Sequence, residues 1–595
     1  MAKVFHFMQS SKILLSFLAL FALWSVNFSV SAQGSIPVQG KVIDLRTGEP
    51  IVGANILVKG LNTGTVSNID GAFRLNVSAL PVTLTIRYTG YRPEEIEIYE
   101  KPSETLVIPL VENLLNEVVV IGYGTQKKSD LTGALSSITE AQIKEHPVPN
   151  IIQVLQGKVS GVDITSNLRP GGIGDVRIRG TRSITASNAP LYVVDGIPLS
   201  PDEAAVINPN DIASTEILKD ASATAIYGSK GANGVILITL QEGKKGKVSI
   251  HYDASVSFSK IHSTTDWMSS GELLDWQRLS HITGGTYTGA YGTAPDPDFD
   301  VQMFSGGEQY GINNIKTAYS WNGDGTVQLR PATPEEIAQG YAAQVPVYNS
   351  DRLFDQHWTD LVSRTGVTQN HQLSLSAGSE TSRLYFSLGY LDQKGALIDQ
   401  DYKRYSLTLK GDITPKKWLT VGLSINAIKS LQNYGVVENT SNGGGKDSYS
   451  QALALAPYAS AYDEYGNILN TNKVGLSEHN ILLNIENATN EHSQFSALSN
   501  AFAEIRFTPW LKYHVKYGTQ YTQFEYGSFY GPDFTNPFTA IGTASSTGYN
   551  SHSKRLSWTL ENLLLFDKRF GIHAIGATLL QESQENIITG INMRG

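Results

Sequence analysis

A strict alternation of apolar and polar side chains beyond Lys247 limits the folds open to this chain more than any other feature. Every second residue is apolar from Val248 to Phe258, from Leu419 to Ala427 and from Leu511 to Tyr517, and the residues between are polar or glycine. Because successive side chains of a strand point to opposite faces, these runs predict strands with one apolar and one polar face. Looser versions occur at Leu373–Ala377, Leu384–Tyr390, Tyr405–Leu409, Ala501–Phe507 and Leu556–Phe566.

Strands of this kind fit either a soluble β-sandwich or a transmembrane β-barrel that meets lipid outside and water inside. Short connections such as Thr414–Lys417 alternate with long polar ones such as Asn433–Asn490, as periplasmic turns and extracellular loops do. Trp418 and Trp510 lie beside short turns, where an interfacial aromatic girdle belongs. We therefore predict a mostly β chain in which residues 247–595 form the N-terminal part of a transmembrane antiparallel β-barrel.

The N-terminus has the parts of a secretory signal peptide. Lys3 and Lys12 precede an apolar run from Ile13 to Trp24, and Val30-Ser31-Ala32 offers small residues for cleavage. The apolar run is short for a membrane span of about 20 residues, so residues 1–32 are predicted to be a signal peptide and not an anchor. The chain has no cysteine, which excludes disulfide bonds and a lipidated cysteine at the cleavage site.

Two further domains are predicted between the signal peptide and the barrel. Residues 36–112 contain short strands separated by turn residues, a spacing typical of a β-sandwich. Residues 129–241 combine strands and tight turns with two candidate helices, Ile143–Leu155 and Asp211–Tyr227. This second segment is predicted to form a compact α+β domain.

The linker between these domains, residues 113–128, contains a strand that neither domain accounts for. Its β-branched run Val118–Ile121 ends in Gly122-Tyr123-Gly124, and no partner strand is predicted nearby. An unpaired strand can add itself to the sheet edge of a partner protein, through main-chain hydrogen bonds worth about 0.5–1.5 kcal/mol each. The two glycines would keep the following segment pliable.

Motifs for catalysis, metal binding and phosphate binding are missing. None of the 12 histidines has Glu at the next or third following position, and no G-x-S-x-G elbow or G-x-x-x-x-G-K-[ST] loop occurs. Asp195-Gly196 and Asp220 fit turn and capping roles, and the glycines of residues 170–174 fit a tight loop. The net charge of −9 gives no indication of a nucleic-acid partner. The sequence therefore predicts neither an enzyme nor a cofactor or metal site.

Taken in order, the motifs of this chain resemble those of the SusC/RagA family of TonB-linked outer-membrane transporters, across nearly the whole mature sequence. The segments that carry the resemblance are Gly40–Asp44, Gly53–Ile56, Ile69–Phe73, Leu115–Lys128, Asp130–Ala134, Val176–Gly180, Val193–Pro198, Glu216–Gly228, Gly389–Gly395 and Tyr402–Tyr405. The first three resemble a carboxypeptidase-regulatory-like domain. The resemblance implies that residues 129–241 are a plug domain inside a barrel of about 22 strands.

The resemblance also implies a TonB box in the linker, formed by Glu117, Val118, Val119, Val120, Ile121, Gly122, Tyr123 and Gly124. TonB, with ExbB and ExbD, would pull on this strand, and a SusD-like surface lipoprotein would cover the extracellular mouth. The implied cargo is an oligosaccharide or a peptide that is imported across the outer membrane.

Two expectations concern how the parts fit together. Arg177 and Arg179 are two apart on a predicted strand and should point the same way, so we expect them to pair with carboxylates on the barrel wall or else to face solvent. Only nine or ten strands fit before Gly595, about half of the expected number, so the chain is expected to be an N-terminal fragment of the transporter.

The alternative function is a secreted or surface β-rich protein for glycan binding or adhesion.

Overall fold

The computed structural model describes residues 36–595, apart from 46–47, 62, 89–90, 101–104, 112–117, 122–123, 128–134, 146–147, 245, 305–313, 440–444, 464, 470–479, 533, 535–545 and 572. The predicted signal peptide lies outside the described residues. The chain divides into two compact units, one with the residues up to Val119 and residues 126–130, and the other with residues 120–125 and the chain from Leu131 onwards.

The first unit is a sandwich of two small sheets. Its strands are β1 (Ile36–Asp44), β2 (Asn55–Val58), β3 (Gly64–Val66), β4 (Ala72–Val77), β5 (Val82–Arg87), β6 (Glu94–Ile98) and β7 (Leu106–Leu110). One sheet has the order β4-β1-β7 and the other β3-β2-β5-β6. Val38 and Leu75 from the first sheet meet Ile56 and Leu84 from the second in a shared apolar core. The predicted N-terminal β-sandwich is confirmed.

In the linker, Val118–Ile121 (β8) pairs with Gly124–Lys127 (β9) in a two-stranded sheet. The prediction that this strand has no partner nearby is therefore wrong. Only two residues separate the two strands in the sequence, a length that suits a hairpin connection, so the β-branched run finds its partner within the linker.

The α+β domain that the resemblance implies is a plug, called the plug below, is built on a five-stranded sheet. Its elements are β10 (Leu135–Thr139), β11 (Val162–Thr165), β12 (Asp175–Ile178), β13 (Leu191–Val194), β14 (Ile197–Leu199), β15 (Ile212–Leu218), β16 (Val235–Leu240), α1 (Glu140–Lys144), α2 (Ile151–Leu155), α3 (Pro201–Ala205), α4 (Ala221–Thr224) and 3₁₀ helices at Pro209–Asp211 and Ala225–Gly231. The main sheet has the order β10-β15-β16-β13-β14, and β11 pairs with β12 beside it.

Both helices predicted in the plug differ from those in the structure. The first half of the helix predicted for Asp211–Tyr227 is instead strand β15, which lies between β10 and β16, and after this strand helical structure begins at Ala221. The alternation of that segment was too weak to reveal a strand because most of its side chains are buried on both faces. The helix predicted for Ile143–Leu155 is two short helices, α1 and α2, with Pro149 between them.

Thirteen strands follow the plug within the described residues. They are β17 (Gly246–Ser259), β18 (Leu329–Pro331), β19 (Gln344–Pro346), β20 (Gly366–Gly378), β21 (Ser382–Lys394), β22 (Asp401–Lys416), β23 (Leu419–Asn433), β24 (Val437–Asn439), β25 (Gly445–Asp447), β26 (Ala488–Thr508), β27 (Leu511–Tyr530), β28 (Thr547–Phe570) and β29 (His573–Arg594). Nine of them form one antiparallel sheet in the order β17-β20-β21-β22-β23-β26-β27-β28-β29. The connections contain α5 (Ser270–Thr283), α6 (Pro297–Phe304), α7 (Pro334–Ala338), α8 (Trp358–Val362), α9 (Ser448–Ala452), α10 (Ile481–Asn487) and 3₁₀ helices at Asn314–Ala318 and Ser350–Arg352.

The nine-stranded sheet buries polar side chains and exposes apolar ones. On the inner face, which contacts the plug, Thr408 is 0% exposed and Asn426 is 3% exposed. On the outer face, Leu388, Tyr405 and Leu423 are 43%, 47% and 46% exposed. Soluble proteins bury such apolar residues, whereas a wall between lipid and a hydrated interior exposes them to the lipid. The transmembrane β-barrel fold predicted from the alternation is confirmed, and the soluble sandwich is not supported.

The two ends of the sheet differ in their connections. At the turn end, strands are joined by short turns such as residues 379–381, 417–418 and 509–510. At the loop end, the long connections 260–365 and 434–487 contain helices α5–α10, and their described residues pack around a common apolar core that includes Leu274, Trp358, Ala456 and Ile481. In outer-membrane barrels the short turns face the periplasm.

None of the helices in the described parts of the chain has the length and hydropathy of a membrane-spanning helix.

Candidate functional site

The candidate site is the interface between the plug and the inner face of the sheet. On β22, the side chains at positions 402, 404, 406, 408 and 410 all contact the plug. Tyr405, between them, is exposed on the outer face. Because a strand presents every second residue to one face, β22 alone makes plug contacts from the loop end to the turn end.

Asp211 is a fully buried polar residue of this interface. It ends the 3₁₀ helix Pro209–Asp211, and its carboxylate accepts hydrogen bonds from Ser387 Oγ (2.6 Å), Gln372 Nε2 (2.7 Å), Thr408 Oγ1 (2.8 Å) and Tyr385 OH (3.1 Å). The donors come from three neighbouring strands, β20, β21 and β22. Burial raises the pKa of Asp211, and the four hydrogen bonds oppose that rise. One plug carboxylate thus binds three strands of the wall.

Asn208 forms a second contact beside Asp211. Its amide nitrogen donates to Gln372 Oε1 (2.7 Å) and Ser406 Oγ (3.3 Å), and its amide oxygen accepts from Arg404 Nη2 (3.2 Å). Arg404 Nη1 also donates to the carbonyl of Pro149 at 2.6 Å. The buried guanidinium therefore binds the plug through two neutral oxygen atoms.

Ion pairs hold the plug at the turn end. Lys410 Nζ lies 3.1 Å from Asp195 Oδ2 and 3.2 Å from Glu242 Oε1, and Arg383 Nη1 lies 2.9 Å from Glu242 Oε2. Lys516 Nζ donates to the backbone carbonyl of Asp195 at 2.8 Å. The plug residues of this group lie at the β13–β14 turn and just after β16, where the chain passes from the plug into the sheet.

Backbone contacts hold the plug at the loop end. Gln432 Nε2 donates to the carbonyl of Pro170 at 2.6 Å, and the amide of Gly171 donates to Gln393 Oε1 at 3.2 Å. Gly171 has a φ of 66°, and a Cβ at this position would collide with the ring of Tyr402. Because the predicted tight loop of residues 170–174 approaches the wall this closely, it requires glycine at position 171.

Glu203 connects the plug to a more distant strand. Ser200 and Glu203 form a capping box at the start of α3, and Arg555 Nη1 of β28 lies 3.0 Å from Glu203 Oε1. Although burial acts to raise it, the pKa of Glu203 is lowered by hydrogen bonds from Ser200 and by the charge of Arg555. The plug is therefore also bound by a strand well beyond its main contact with β20–β22.

The two arginines predicted to bind the wall or else to face solvent are both exposed. Arg177 lies exposed on β12 and pairs with no wall carboxylate among the described residues. Arg179 lies beyond the end of β12 with a φ of 59°, and its Nη2 is 2.5 Å from Oδ1 of the plug residue Asp220. The backbone leaves the strand before Arg179, so the two-residue period no longer applies. The expected pairing of Arg179 with a carboxylate on the wall is wrong.

The predicted TonB box is only partly described. Glu117, Gly122 and Tyr123 lie outside the described residues, whereas Val118–Ile121 form β8 and Gly124 begins β9. Docking of this segment to a partner stays a prediction.

The residues that do bind the plug to the wall were missed by the sequence reasoning. Asp211 was included in a predicted helix, and Asp195 was given only a turn role. Partners such as Thr408 and Lys410 could have been found as polar residues at alternate positions of β22, but the pattern does not say which plug residue they meet.

Among the described residues, no group of three or more His, Asp or Glu side chains could hold a metal ion.

Two protein-family models match the chain. The TonB-dependent Receptor Plug Domain matches residues 127–235, and the CarboxypepD_reg-like domain matches residues 38–120.

Named relatives match most of the chain. TonB-dependent receptor P3 of Formosa agariphila is 31% identical over 569 residues, which is 95% of this chain and 49% of the relative. TonB-dependent receptor SusC of Bacteroides thetaiotaomicron is 32% identical over 383 residues, which is 63% of this chain and 32% of the relative. The solved structure of the RagAB peptide importer in the open-open state has a TM-score of 0.61 and 26% identity, and the match covers 80% of this chain and 50% of that chain. The chain thus spans at most about half the length of the relatives named here.

Proposed function

Because the chain is a relative of the SusC/RagA family of TonB-dependent receptors, we propose that it acts in energy-coupled import of a nutrient across the outer membrane. The barrel fold and these relatives locate the chain in the outer membrane. The proposed activity is transport, with no catalytic step.

The observation that carries this proposal is the plug bound to the polar inner face of the sheet. Contacts at the loop end, near Asp211 and at the turn end hold it in place. A folded domain bound in this way blocks passive diffusion, so a solute can pass only when the plug moves. Moving it breaks many hydrogen bonds and ion pairs, and this requires an input of work. A passive pore would need no such domain.

We propose that TonB, with ExbB and ExbD, supplies this work through residues Glu117–Gly124. Among the described residues, β8 pairs only with β9, which leaves its other edge open to a strand from a partner. Addition of a TonB strand to that edge would use main-chain hydrogen bonds and would transmit a pull along the backbone.

We propose that the cargo is an oligosaccharide or a peptide and that a SusD-like lipoprotein covers the loop end. The similarity to the RagAB peptide importer supports this assignment. The helices of the long connections form a packed surface at the loop end, which such a lipoprotein could cover.

Deletion of Glu117–Gly124 from the intact gene product tests the coupling. Uptake of a labelled oligosaccharide or peptide by whole cells should stop, while the amount of protein in the outer membrane should stay the same. A protonophore should also stop uptake by the wild type and should have no further effect on the deletion variant. Unchanged uptake after the deletion would rule out coupling through this segment.

The alternative, a secreted glycan-binding or adhesion protein, has no support in the structure. A soluble protein would bury the apolar rows that this sheet exposes, for example at Leu388 and Leu423.

A further inference from the structure

Four ring-bearing side chains form a row across the wall near its loop end, called the aromatic row below. They are Tyr434, directly after β23, His492 on β26, Tyr526 on β27 and Tyr549 on β28. Their ring centroids are 4.2 Å, 4.5 Å and 5.5 Å apart along the row. Because these strands are neighbours in the sheet, at a spacing of about 4.8 Å, the row is about 14 Å long.

The strand register puts the aromatic row on the inner face of the wall. His492 is an even number of residues from Leu498, which packs in the plug core, and Tyr549 is an even number from Arg555, which pairs with a plug carboxylate. Side chains an even number apart on a strand share a face. Tyr526 lies directly opposite His492 in the register, so its ring is on the same face. All four rings are half-buried and retain accessible surface.

Two charged residues of the plug lie near one end of the aromatic row. The guanidinium carbon of Arg169 is 5.8 Å from the ring centroid of Tyr434. Burial raises the pKa of the Tyr434 phenol, the charge of Arg169 opposes this rise, and the charge of Asp202 adds to it. Asp202 lies exposed in the first turn of α3. A hydrogen-bond donor and a hydrogen-bond acceptor of opposite charge are therefore close to the phenol.

Two amide side chains flank His492 on the same face of β26. They are Asn490 and Gln494, and Asn490 is 7% exposed. Asn490 Oδ1 and Gln494 Nε2 have no hydrogen-bond partner among the described residues. Buried polar atoms are normally hydrogen-bonded, so an acceptor and a donor beside the row indicate that the row takes a polar ligand or water.

We propose that the aromatic row is a binding subsite for the transported solute and that this solute is a neutral oligosaccharide. The inference rests on the proposed import function and narrows its cargo. A sugar ring has an apolar face of C–H groups and a rim of hydroxyl groups. Aromatic rings stack on the face, while amide, carboxylate and guanidinium groups bind the rim. Arg169 and Asp202 balance each other in charge, which favours a neutral ligand.

The same wall offers little to a peptide in extended form. Such a peptide gains affinity by adding its backbone to an open sheet edge. Each of β23, β26, β27 and β28 is hydrogen-bonded to a strand on both sides, so none of them has an open edge. The row therefore presents side chains alone, which suits a ligand that binds through ring faces and hydroxyl groups.

Depletion of solutes by whole cells tests the class of cargo. Cells with the intact gene product and cells without it are incubated with neutral oligosaccharides from partly hydrolysed starch, cellulose, xylan, mannan, galactan and fructan, and separately with a tryptic peptide mixture. Mass spectrometry then shows which components only the first cells remove. We expect these to be oligosaccharides. Removal of peptides alone would overturn the proposed cargo and leave the import function intact.

Binding of the removed oligosaccharide to the purified intact gene product in detergent tests the subsite. Tyr526→Ala and Tyr549→Ala should each raise the Kd about tenfold, because each removes one stacking ring. Tyr526→Phe keeps the ring and should keep most of the affinity. Tyr517→Ala is the matched control, since Tyr517 is 46% exposed on the outer face of the same strand and should leave the Kd unchanged.

The remaining outcomes separate the subsite from the proposed function. Oligosaccharide removal with an unchanged Kd in both alanine variants would overturn the subsite, whereas the import function would stand. If neither alanine variant reaches the outer membrane, Asp202→Asn changes an exposed plug residue outside the strands and should also raise the Kd; an unchanged Kd would overturn the subsite. If the cells remove neither oligosaccharides nor peptides, the proposed function fails and the subsite fails with it.

Discussion

Replacement of Asp211 by alanine should loosen the plug from the wall. The substitution removes the acceptor of four hydrogen bonds from buried side chains on β20, β21 and β22. At about 1 kcal/mol net for each bond, the plug should lose about 4 kcal/mol of its interaction with the sheet. Since 1.4 kcal/mol is a factor of about ten, the fraction of molecules with a displaced plug should rise about a thousandfold.

Limited trypsin digestion of the intact gene product in detergent measures this fraction, because protease cuts the plug mainly when it is displaced. Asp211→Ala should be cut within the plug far faster than the wild type. Asp163→Ala is the matched control, since Asp163 lies exposed on β11 of the same domain and should leave the rate unchanged. If the Asp211 and Asp163 variants were cut at rates within a factor of about two, the hydrogen bonds of Asp211 would not hold the plug.

Three other predictions follow from the same structure. Because burial raises the pKa of Asp211, its contribution to stability is present at low pH and is lost as pH rises through the raised value; the unfolding midpoint of the wild type relative to Asp211→Asn should therefore fall as pH rises above the ordinary pKa of an aspartate. Gly196→Ala should cost about 1–3 kcal/mol in an unfolding titration, because alanine is strained at a φ of 86° and its Cβ displaces Lys516. Leu556→Arg puts a charge on the outer face at a cost of up to about 2–4 kcal/mol, so less heat-modifiable protein should be recovered from outer membranes than with Leu556→Ile.

The strands of the wall could be predicted because their signal is local. The alternating runs Val248–Phe258, Leu419–Ala427 and Leu511–Tyr517 lie within β17, β23 and β27. Lipid on one side and a hydrated interior on the other require a different residue type at every second position, and the sequence records this directly. Strand β15 was missed for the opposite reason, since it lies inside the plug and lacks a hydrated face.

The plug contacts could not be predicted because their partners are distant in the sequence. Asp211 lies 161 residues from Gln372 and 197 residues from Thr408. Nothing in the residues around Asp211 indicates burial, and charged residues in turns are normally exposed. Arg177 and Arg179 were chosen by strand period alone, and that period does not indicate the plug carboxylate of Asp220, with which Arg179 pairs.

The proposed import function requires that a tightly held plug can be released, and the chemistry of the wall suits this requirement. Few apolar side chains of the inner face join the core of the plug, Ile428 and Leu498 among them, and most contacts near Asp211 come from neutral hydroxyl and amide groups. Exposing an apolar contact to water costs about 25 cal/mol per Å². When the plug leaves, a hydroxyl such as that of Thr408 instead replaces its hydrogen bond to the plug with one to water, at a net cost of only about 1 kcal/mol. For the proposed function, in which the wall binds a domain and later lines an aqueous passage, many weak polar contacts are suited to the task, and an apolar contact surface of the same area would require far more work to open.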